Sequence, residues 1–93
     1  MDDAYEWDEA KNQINQAKHG VGFELVREFD WEGAVFRTDD REDYAEVRRL
    51  AYGWVGPRAF AIVFVVRAER IRIISLRPMH AKERRKYGLK TPS

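Results

Sequence analysis

Alternation of apolar and polar residues predicts four β-strands in the second two-thirds of the chain. The predicted strands are residues 34–38, 47–55, 59–66 and 71–77. In the second strand Leu50, Tyr52 and Trp54 recur with a period of two and share a face, on which Arg48 also lies. The third strand has no polar interruption, which is typical of a central strand buried on both faces. Short turns join the last three strands, so we expect an antiparallel meander.

The last predicted strand carries polar side chains among apolar ones. Strict alternation puts three residues on one face: Arg72, Ile74 and Leu76. It puts the remaining four on the other face: Ile71, Ile73, Ser75 and Arg77. We therefore expect the Ser75 and Arg77 side chains to lie near each other at the end of this strand.

A helix is predicted before the strands, because the chain carries start and stop signals there. Asp8 is a suitable helix N-cap, and Gly20 suits the left-handed residue that ends a helix. Ala10, Ile14 and Ala17 recur at helical spacing, so we expect a thin apolar face.

Two further helices are predicted. One spans about residues 22–30, where Phe23, Val26 and Phe29 form an apolar stripe. The other has Pro78 in its first turn and runs to Tyr87, with Gly88 ending it.

The predicted architecture is α+β: an antiparallel β-sheet meander with two N-terminal helices and one C-terminal helix. A chain of 93 residues has room for one domain, which we expect at 1–88 with a flexible tail at 89–93. The absence of cysteine excludes a disulfide scaffold and a thiolate site. No apolar stretch reaches the ~20 residues of a membrane span. The acidic N-terminus is unlike a signal peptide, so we expect a cytoplasmic protein.

Charge is strongly segregated beneath a formal net charge of +1. Residues 67–93 carry nine basic and two acidic side chains, whereas residues 1–66 carry eight basic and fourteen acidic ones. Such asymmetry is typical of a surface for phosphates. The alternatives are pairing of the acidic part with the basic part, and a solvated helix face. The acidic cluster at 39–43 is predicted to be a solvated loop.

Arg77 is the first candidate for chemistry, because it ends a strand immediately before a helix. Its guanidinium can hold a phosphate with two parallel N–H bonds and stabilise charge during phosphoryl transfer. Ser75 and Arg72, on the same strand, are candidate RNA contacts. The alternative for Arg77 is an ion pair with a carboxylate of the acidic part.

The last helix and the end of the first helix supply the other candidates. His80, Arg84 and Tyr87 share a helix face at i, i+4 and i+7, with Arg85 and Lys86 beside them. His19 and Lys18 lie at a helix end, where the imidazole can act as acid or base or only complement the helix dipole. Trp7 can stack on RNA bases or pack in the core, and Tyr87 can equally be a core residue. No metal-binding or phosphate-loop motif occurs, so we expect no cofactor and no metal site.

Two blocks of residues resemble the signature of a known family. The first block is Trp7-Asp8-Glu9-Ala10-Lys11, Asn15, Lys18-His19-Gly20-Val21 and Phe23. The second is Arg70-Ile71-Arg72-Ile73-Ile74-Ser75-Leu76-Arg77, Glu83-Arg84 and Tyr87, and Gly53 lies between the blocks. Together they resemble the BrnT-type toxins of bacterial type II toxin–antitoxin systems.

The resemblance implies a RelE-like fold and a ribonuclease that inhibits translation. It also implies a BrnA-type antitoxin with a ribbon-helix-helix part, so that operator DNA is bound only through the complex. A ribonuclease without metal ligands would use the RNA's own 2′-hydroxyl, with Arg77 and Arg84 stabilising the phosphorane, His19 or His80 as acid or base, and Lys18 assisting. Two rivals remain: a non-catalytic nucleic-acid-binding module, and an interaction protein whose basic face binds an acidic partner.

Overall fold

The computed structural model describes residues 4–39 and 46–89, which form one five-stranded sheet and three short helices. The elements are β1 Tyr5–Glu6, α1 Glu9–His19, a 3₁₀-helix Phe23–Glu28, β2 Val35–Asp39, β3 Arg48–Val55, β4 Arg58–Arg67, β5 Arg70–Pro78 and α2 Ala81–Lys86. Asp39 is a buried residue of β2, and the rest of the predicted acidic loop, 40–43, lies outside the described residues. Leu89 packs on the body of the protein, and 90–93 also lie outside the described residues.

The sheet confirms the α+β class but is mixed. Its strand order is β1-β5-β4-β3-β2, and the pairs from β2 to β5 are antiparallel, as the predicted meander requires. The prediction of a purely antiparallel sheet is wrong, because β1 pairs with β5 in parallel. A strand of two residues has too little pattern to reveal its partner or its direction.

Both faces of the sheet are covered by apolar side chains. The larger cluster packs the 3₁₀-helix against one face, and its fully buried members include Phe23, Val26, Ile62 and Leu76. The smaller cluster lies on the other face. It is formed by Tyr52, Trp54, Ala59, Ala61 and Met79, against which Tyr87 and Leu89 pack. The prediction that β4 is buried on both faces is therefore confirmed for most of the strand, but Val66 near its end is 59% exposed.

The ends of α1 are as predicted, but its buried face is not. The Asp8 carboxylate accepts hydrogen bonds from two backbone N–H groups of the first turn, and Gly20 ends the helix with φ of 76°. The predicted apolar face points outward, since Ile14 is 66% exposed. The helix instead turns Asn12 and Asn15 towards the sheet, where their amides hydrogen-bond backbone groups. An apolar stripe could not satisfy these groups.

The second predicted α-helix is a 3₁₀-helix, so the chain has one N-terminal α-helix and not two. Phe23, Val26 and Phe29 recur every third residue, and all three are buried. A helix with three residues per turn places such residues on one side, whereas the α-helical period of 3.6 would rotate them apart.

A bulge in β5 corrects the predicted alternation of that strand. Val63 pairs with Ser75, but Phe64 pairs with Ile73, so Ile74 is an extra residue in the ladder. As a result Ile73 and Leu76 both lie in the larger core, although strict alternation places them on opposite faces. The expected proximity of Ser75 and Arg77 is kept, on the face opposite that core.

The C-terminal helix starts later than predicted. Pro78 belongs to β5, where it pairs with Phe60, and the next backbone N–H bonds Ala59 of β4. His80 is the N-cap of α2, Tyr87 is its C-cap, and Gly88 follows with φ of 65°. Continued pairing with β4 thus delays the helix by one turn.

Candidate active site

A cleft of about 570 Å³ opens on the sheet face of the smaller cluster, and five of the predicted site residues line it. Its full lining is Lys18, His19, Thr38, Asp39, Arg48, Leu50, Tyr52, Ala61, Val63, Ile74, Ser75, Arg77, Glu83 and Tyr87. The five predicted members are Lys18, His19, Ser75, Arg77 and Tyr87. Residues distant in the sequence thus meet where α1 ends, β5 ends and α2 begins.

Asn15 fixes the end of α1 against β5. Its amide Nδ2 donates to the Leu76 carbonyl at 2.7 Å, and its Oδ1 accepts from the Leu76 N–H at 3.2 Å. β1 pairs with β5 only at Ile71 and Arg72, so it does not reach the backbone groups of Leu76 on the same edge. The two bonds from Asn15 supply the partners of those groups. His19, one helical turn further, is thereby held beside the cleft.

The His19 imidazole is less basic than an ordinary histidine. Burial lowers its pKa below the ordinary value of 6.5, and the positive charges of Lys18 and Arg77 lower it further. The imidazole is therefore mainly neutral at pH 7, so it can accept a proton.

Arg77 is held by a carboxylate within the cleft. Its Nη1 and Nη2 donate to Oε1 and Oε2 of Glu83, both at 2.8 Å, in a bidentate ion pair. The hydrogen bonds from Arg77 lower the pKa of Glu83 to about 2, and the His80 backbone N–H contributes in the same direction. The alternative predicted for Arg77, an ion pair, is thus observed, but its partner comes from the basic end of the chain.

Tyr52 and Tyr87 form a stacked pair at another side of the cleft. Their ring centroids are 4.2 Å apart with an interplanar angle of 11°. Burial, with the hydrogen bond to Tyr87, raises the pKa of Tyr52 to about 12. The same hydrogen bond lowers the pKa of Tyr87, and the nearby charges of Lys86 and Arg37 act in the same direction. Tyr87 is therefore the more acidic phenol of the two.

Cationic residues from the acidic part of the chain also reach this face. Arg48 lines the cleft opposite Asp39, its partner in the β2–β3 register. The Arg37 guanidinium lies 5.1 Å from the centroid of the Tyr87 ring. Charge counting along the sequence missed both arginines. The signal for Arg48 was its place on the Leu50 and Tyr52 face of the predicted strand.

Six predicted site residues lie outside the cleft. Arg84 and Arg85 line a separate hollow of about 190 Å³ beside Trp54. His80 is an exposed helix cap, and the Lys86 ammonium lies 5.5 Å from the Tyr87 ring centroid. Arg72 forms an ion pair with Glu6 at 3.1 Å. Trp7 packs edge-on against Phe23 in the larger cluster and donates to Glu9.

Part of the segregated charge is paired across the fold. Arg67 bonds Glu46, while Arg70 and Arg72 both contact Glu6. The predicted pairing of the acidic part with the basic part therefore accounts for one stretch of arginines, from the end of β4 to the beginning of β5. Arg77 and Lys18 lie at the cleft, away from those pairs.

The described residues contain neither a group of metal ligands nor a membrane-spanning helix. Within residues 4–39 and 46–89, no three His, Asp or Glu side chains are grouped as a metal ion would need. None of the helices in those ranges is long and apolar enough to span a membrane.

Comparison with known families shows the family to which this chain belongs. A family model described as "Ribonuclease toxin, BrnT, of type II toxin-antitoxin system" matches residues 7–83. The chain belongs to the BrnT toxin family. The predicted resemblance is confirmed, and membership in a type II system implies an antitoxin partner. The BrnT match includes every cleft residue except Tyr87. A comparison with the curated proteins gives no match.

Proposed function

We propose that this chain is a metal-independent endoribonuclease that cuts RNA in the cleft and so inhibits translation in the cytoplasm. The observation that carries the proposal is the meeting of His19, Lys18, Ser75 and Arg77 in one cleft of a BrnT-family chain. RNA cleavage through a 2′-hydroxyl requires a proton acceptor and cations that stabilise the phosphorane, besides a proton donor for the leaving 5′-oxygen.

His19 is the proposed general base. The neutral imidazole takes the proton of the 2′-hydroxyl, whose oxygen attacks the adjacent phosphorus. The bond to the 5′-oxygen of the next nucleotide then breaks, and a 2′,3′-cyclic phosphate is left. Glu83 is a poor competitor for this role, because a carboxylate with a pKa of about 2 has little affinity for a proton near neutral pH.

Arg77 is the proposed stabiliser of the phosphorane, with Lys18 assisting. The bidentate contact with Glu83 fixes the plane of the guanidinium before a substrate arrives. A cation that is already oriented needs little reorganisation when negative charge develops on the phosphoryl oxygens. Ser75 is placed to donate a hydrogen bond to the same phosphate.

Tyr87 is the proposed proton donor to the leaving 5′-oxygen. Its hydroxyl is made more acidic by Tyr52, and the ring lines the same cleft as His19. His80, the other histidine, lies outside the cleft and has no part in this mechanism.

The proposed partner is a BrnA-type antitoxin that neutralises the toxin by covering the cleft. The complex, through a ribbon-helix-helix part of the antitoxin, would bind operator DNA. We also assign the fold to the RelE-like class, supported by the meander and by the cleft at the end of its strands.

A second candidate function is a non-catalytic module that binds nucleic acid or protein through β5 and α2. It is favoured by Arg85 and Lys86, which are exposed on α2 away from the cleft. Binding that falls steeply with salt, without cleavage, would identify this function.

Incubation of the purified chain with labelled RNA in EDTA tests the proposal. We expect cleavage with a 2′,3′-cyclic phosphate product, and no cleavage of DNA of the same sequence, because DNA lacks the nucleophile. Equal cleavage of DNA, or RNA cleavage only after a divalent metal is added, would contradict the mechanism.

A further inference from the structure

A second, smaller groove lies beside the cleft, over α1. This groove has a volume of about 180 Å³ and is lined by residues of α1 and β5. Four residues line both the groove and the cleft: Lys18, His19, Ile74 and Ser75. The proposed base therefore lies between two adjacent hollows.

Three residues give the α1 side of the groove an unusual surface. Lys11, Ile14 and Lys18 recur at i, i+3 and i+7, so they lie along one side of the helix. Ile14 is 66% exposed although it is a large apolar residue, and the two lysines on either side of it are also exposed. A cationic stripe interrupted by an apolar side chain suits a polymer that presents phosphates and apolar rings or riboses alternately.

The two lysines are far enough apart along the helix to contact different phosphates. Seven residues of helix separate their backbones by about 10 Å along the axis. Because Lys18 lies at the cleft, Lys11 can contact a phosphate further along a bound RNA strand.

We propose that the α1 groove is an RNA subsite that holds the first nucleotide beyond the two that flank the cleaved bond, with Lys11 on its phosphate and Ile14 against its ribose or base. The proposed substrate class is then single-stranded RNA longer than a dinucleotide, since the subsite takes a nucleotide beyond the two at the cleaved bond. This inference rests on the proposed function, because the cleavage step defines which nucleotide is adjacent.

Substrate length separates the subsite from the catalytic cleft. An RNA dinucleotide fills only the cleft, whereas an octanucleotide also reaches the groove. The octanucleotide carries one ribonucleotide, at the bond that is cut, and deoxynucleotides at all other positions. For Lys11→Ala we expect KM for the octanucleotide to rise roughly five-fold, with kcat unchanged and with the dinucleotide cut as by the parent chain. Ile14→Ala should act in the same direction.

Lys82→Ala is the matched control, because Lys82 is an exposed helical lysine that lines neither hollow. Binding of a 2′-O-methyl octanucleotide, which cannot be cut, gives a second readout. The slope of the logarithm of its binding constant against the logarithm of the salt concentration should become about 0.7 less steep for Lys11→Ala. The slope should stay unchanged for Lys82→Ala.

Failure of the subsite and failure of the ribonuclease give different results. Equal KM and equal salt slopes for Lys11→Ala and Lys82→Ala would overturn the subsite, even if both proteins cut RNA. If the parent chain cuts nothing but its binding of the 2′-O-methyl RNA depends on Lys11, the subsite stands and the ribonuclease is overturned.

Discussion

His19 and His80 carry the same imidazole in different surroundings, and only one lies where a proton could be moved. His19 lines the cleft, between α1 and β5. His80 is exposed at the beginning of α2, where its backbone N–H donates to Glu83. Spacing along the sequence made them equivalent candidates, so the difference comes from how α1 is fixed to the sheet.

Replacement of His19 by Gln should reduce RNA cleavage by 100-fold or more, because the general base is lost. The rate of the parent chain should rise with pH through a pKa below 6.5 and level off near neutrality, since only the neutral imidazole accepts a proton. His80→Gln serves as the control and should retain both the rate and the pH profile. A profile that centres above 6.5, or that survives in His19→Gln, would remove His19 from the mechanism.

Glu83 should make a pH-dependent contribution to stability. Its pKa is about 2 in the folded chain against an ordinary 4.5, so the unfolded chain takes up the proton first as the pH falls. The stabilisation is complete above about pH 4.5 and is lost between there and about pH 2. Glu83→Gln should cost about 1 kcal/mol at pH 7, and the cost should shrink towards pH 2.

Urea unfolding at pH 7 and pH 3 measures this difference. Glu32→Gln, a change at an exposed carboxylate in the turn before β2, should be nearly neutral at both. A cost for Glu83→Gln that stays constant with pH would show that the ion pair with Arg77 is not its origin.

At the scale of elements, α1 is attached by hydrogen bonds where apolar packing was expected. Asn15 closes the edge of β5 at Leu76 and also donates to the Val21 carbonyl, which fixes the segment after the helix. Asn12 accepts from the Phe23 N–H and so fixes the beginning of the 3₁₀-helix. Two side chains thus join three elements.

Asn15→Ala should lower the free energy of unfolding by about 2–3 kcal/mol, because buried N–H and C=O groups of Leu76 and Val21 lose their partner. Ile14→Ala, on the exposed side of the same helix, should change it by less than about 0.5 kcal/mol. Both values come from urea denaturation. A larger loss for Ile14→Ala than for Asn15→Ala would mean that α1 is held by apolar contacts after all.

The elements that the sequence predicted correctly are those with local signals. The caps of α1 depend on Asp8 and Gly20, and the central strand β4 depends on its own apolar run. The bulge at Ile74 depends on how β5 pairs with β4, so no pattern within β5 could reveal it. The 3₁₀-helix has a different explanation. Its triplet spacing is visible in the sequence, but an α-helix is the commoner structure for an apolar stripe.

At the scale of the whole molecule, the cleft is assembled from both halves of the charge distribution. Lys18 and Arg48 come from the acidic part, and Arg77 comes from the basic part. Net charge by segment points to β5 and α2, but Arg70 and Arg72 of β5 are paired with Glu6, and Arg67 at the end of β4 is paired with Glu46. Five of the eleven predicted site residues line the cleft. Of these five, all except Tyr87 lie next to the junction of α1 and β5. That junction is a tertiary feature, which sequence spacing does not encode.

Arg77 is the proposed stabiliser of the transition state of RNA cleavage in this cleft. Single-turnover cleavage of labelled RNA in EDTA tests it most directly, with the parent chain, Arg77→Ala and Arg58→Ala compared. Arg58 is an exposed arginine at the beginning of β4 that does not line the cleft. We predict a loss of about 100-fold or more for Arg77→Ala and parental rates for Arg58→Ala. The urea unfolding curve of Arg77→Ala verifies that this variant is folded. If it then cuts RNA as fast as Arg58→Ala, Arg77 does not stabilise the transition state.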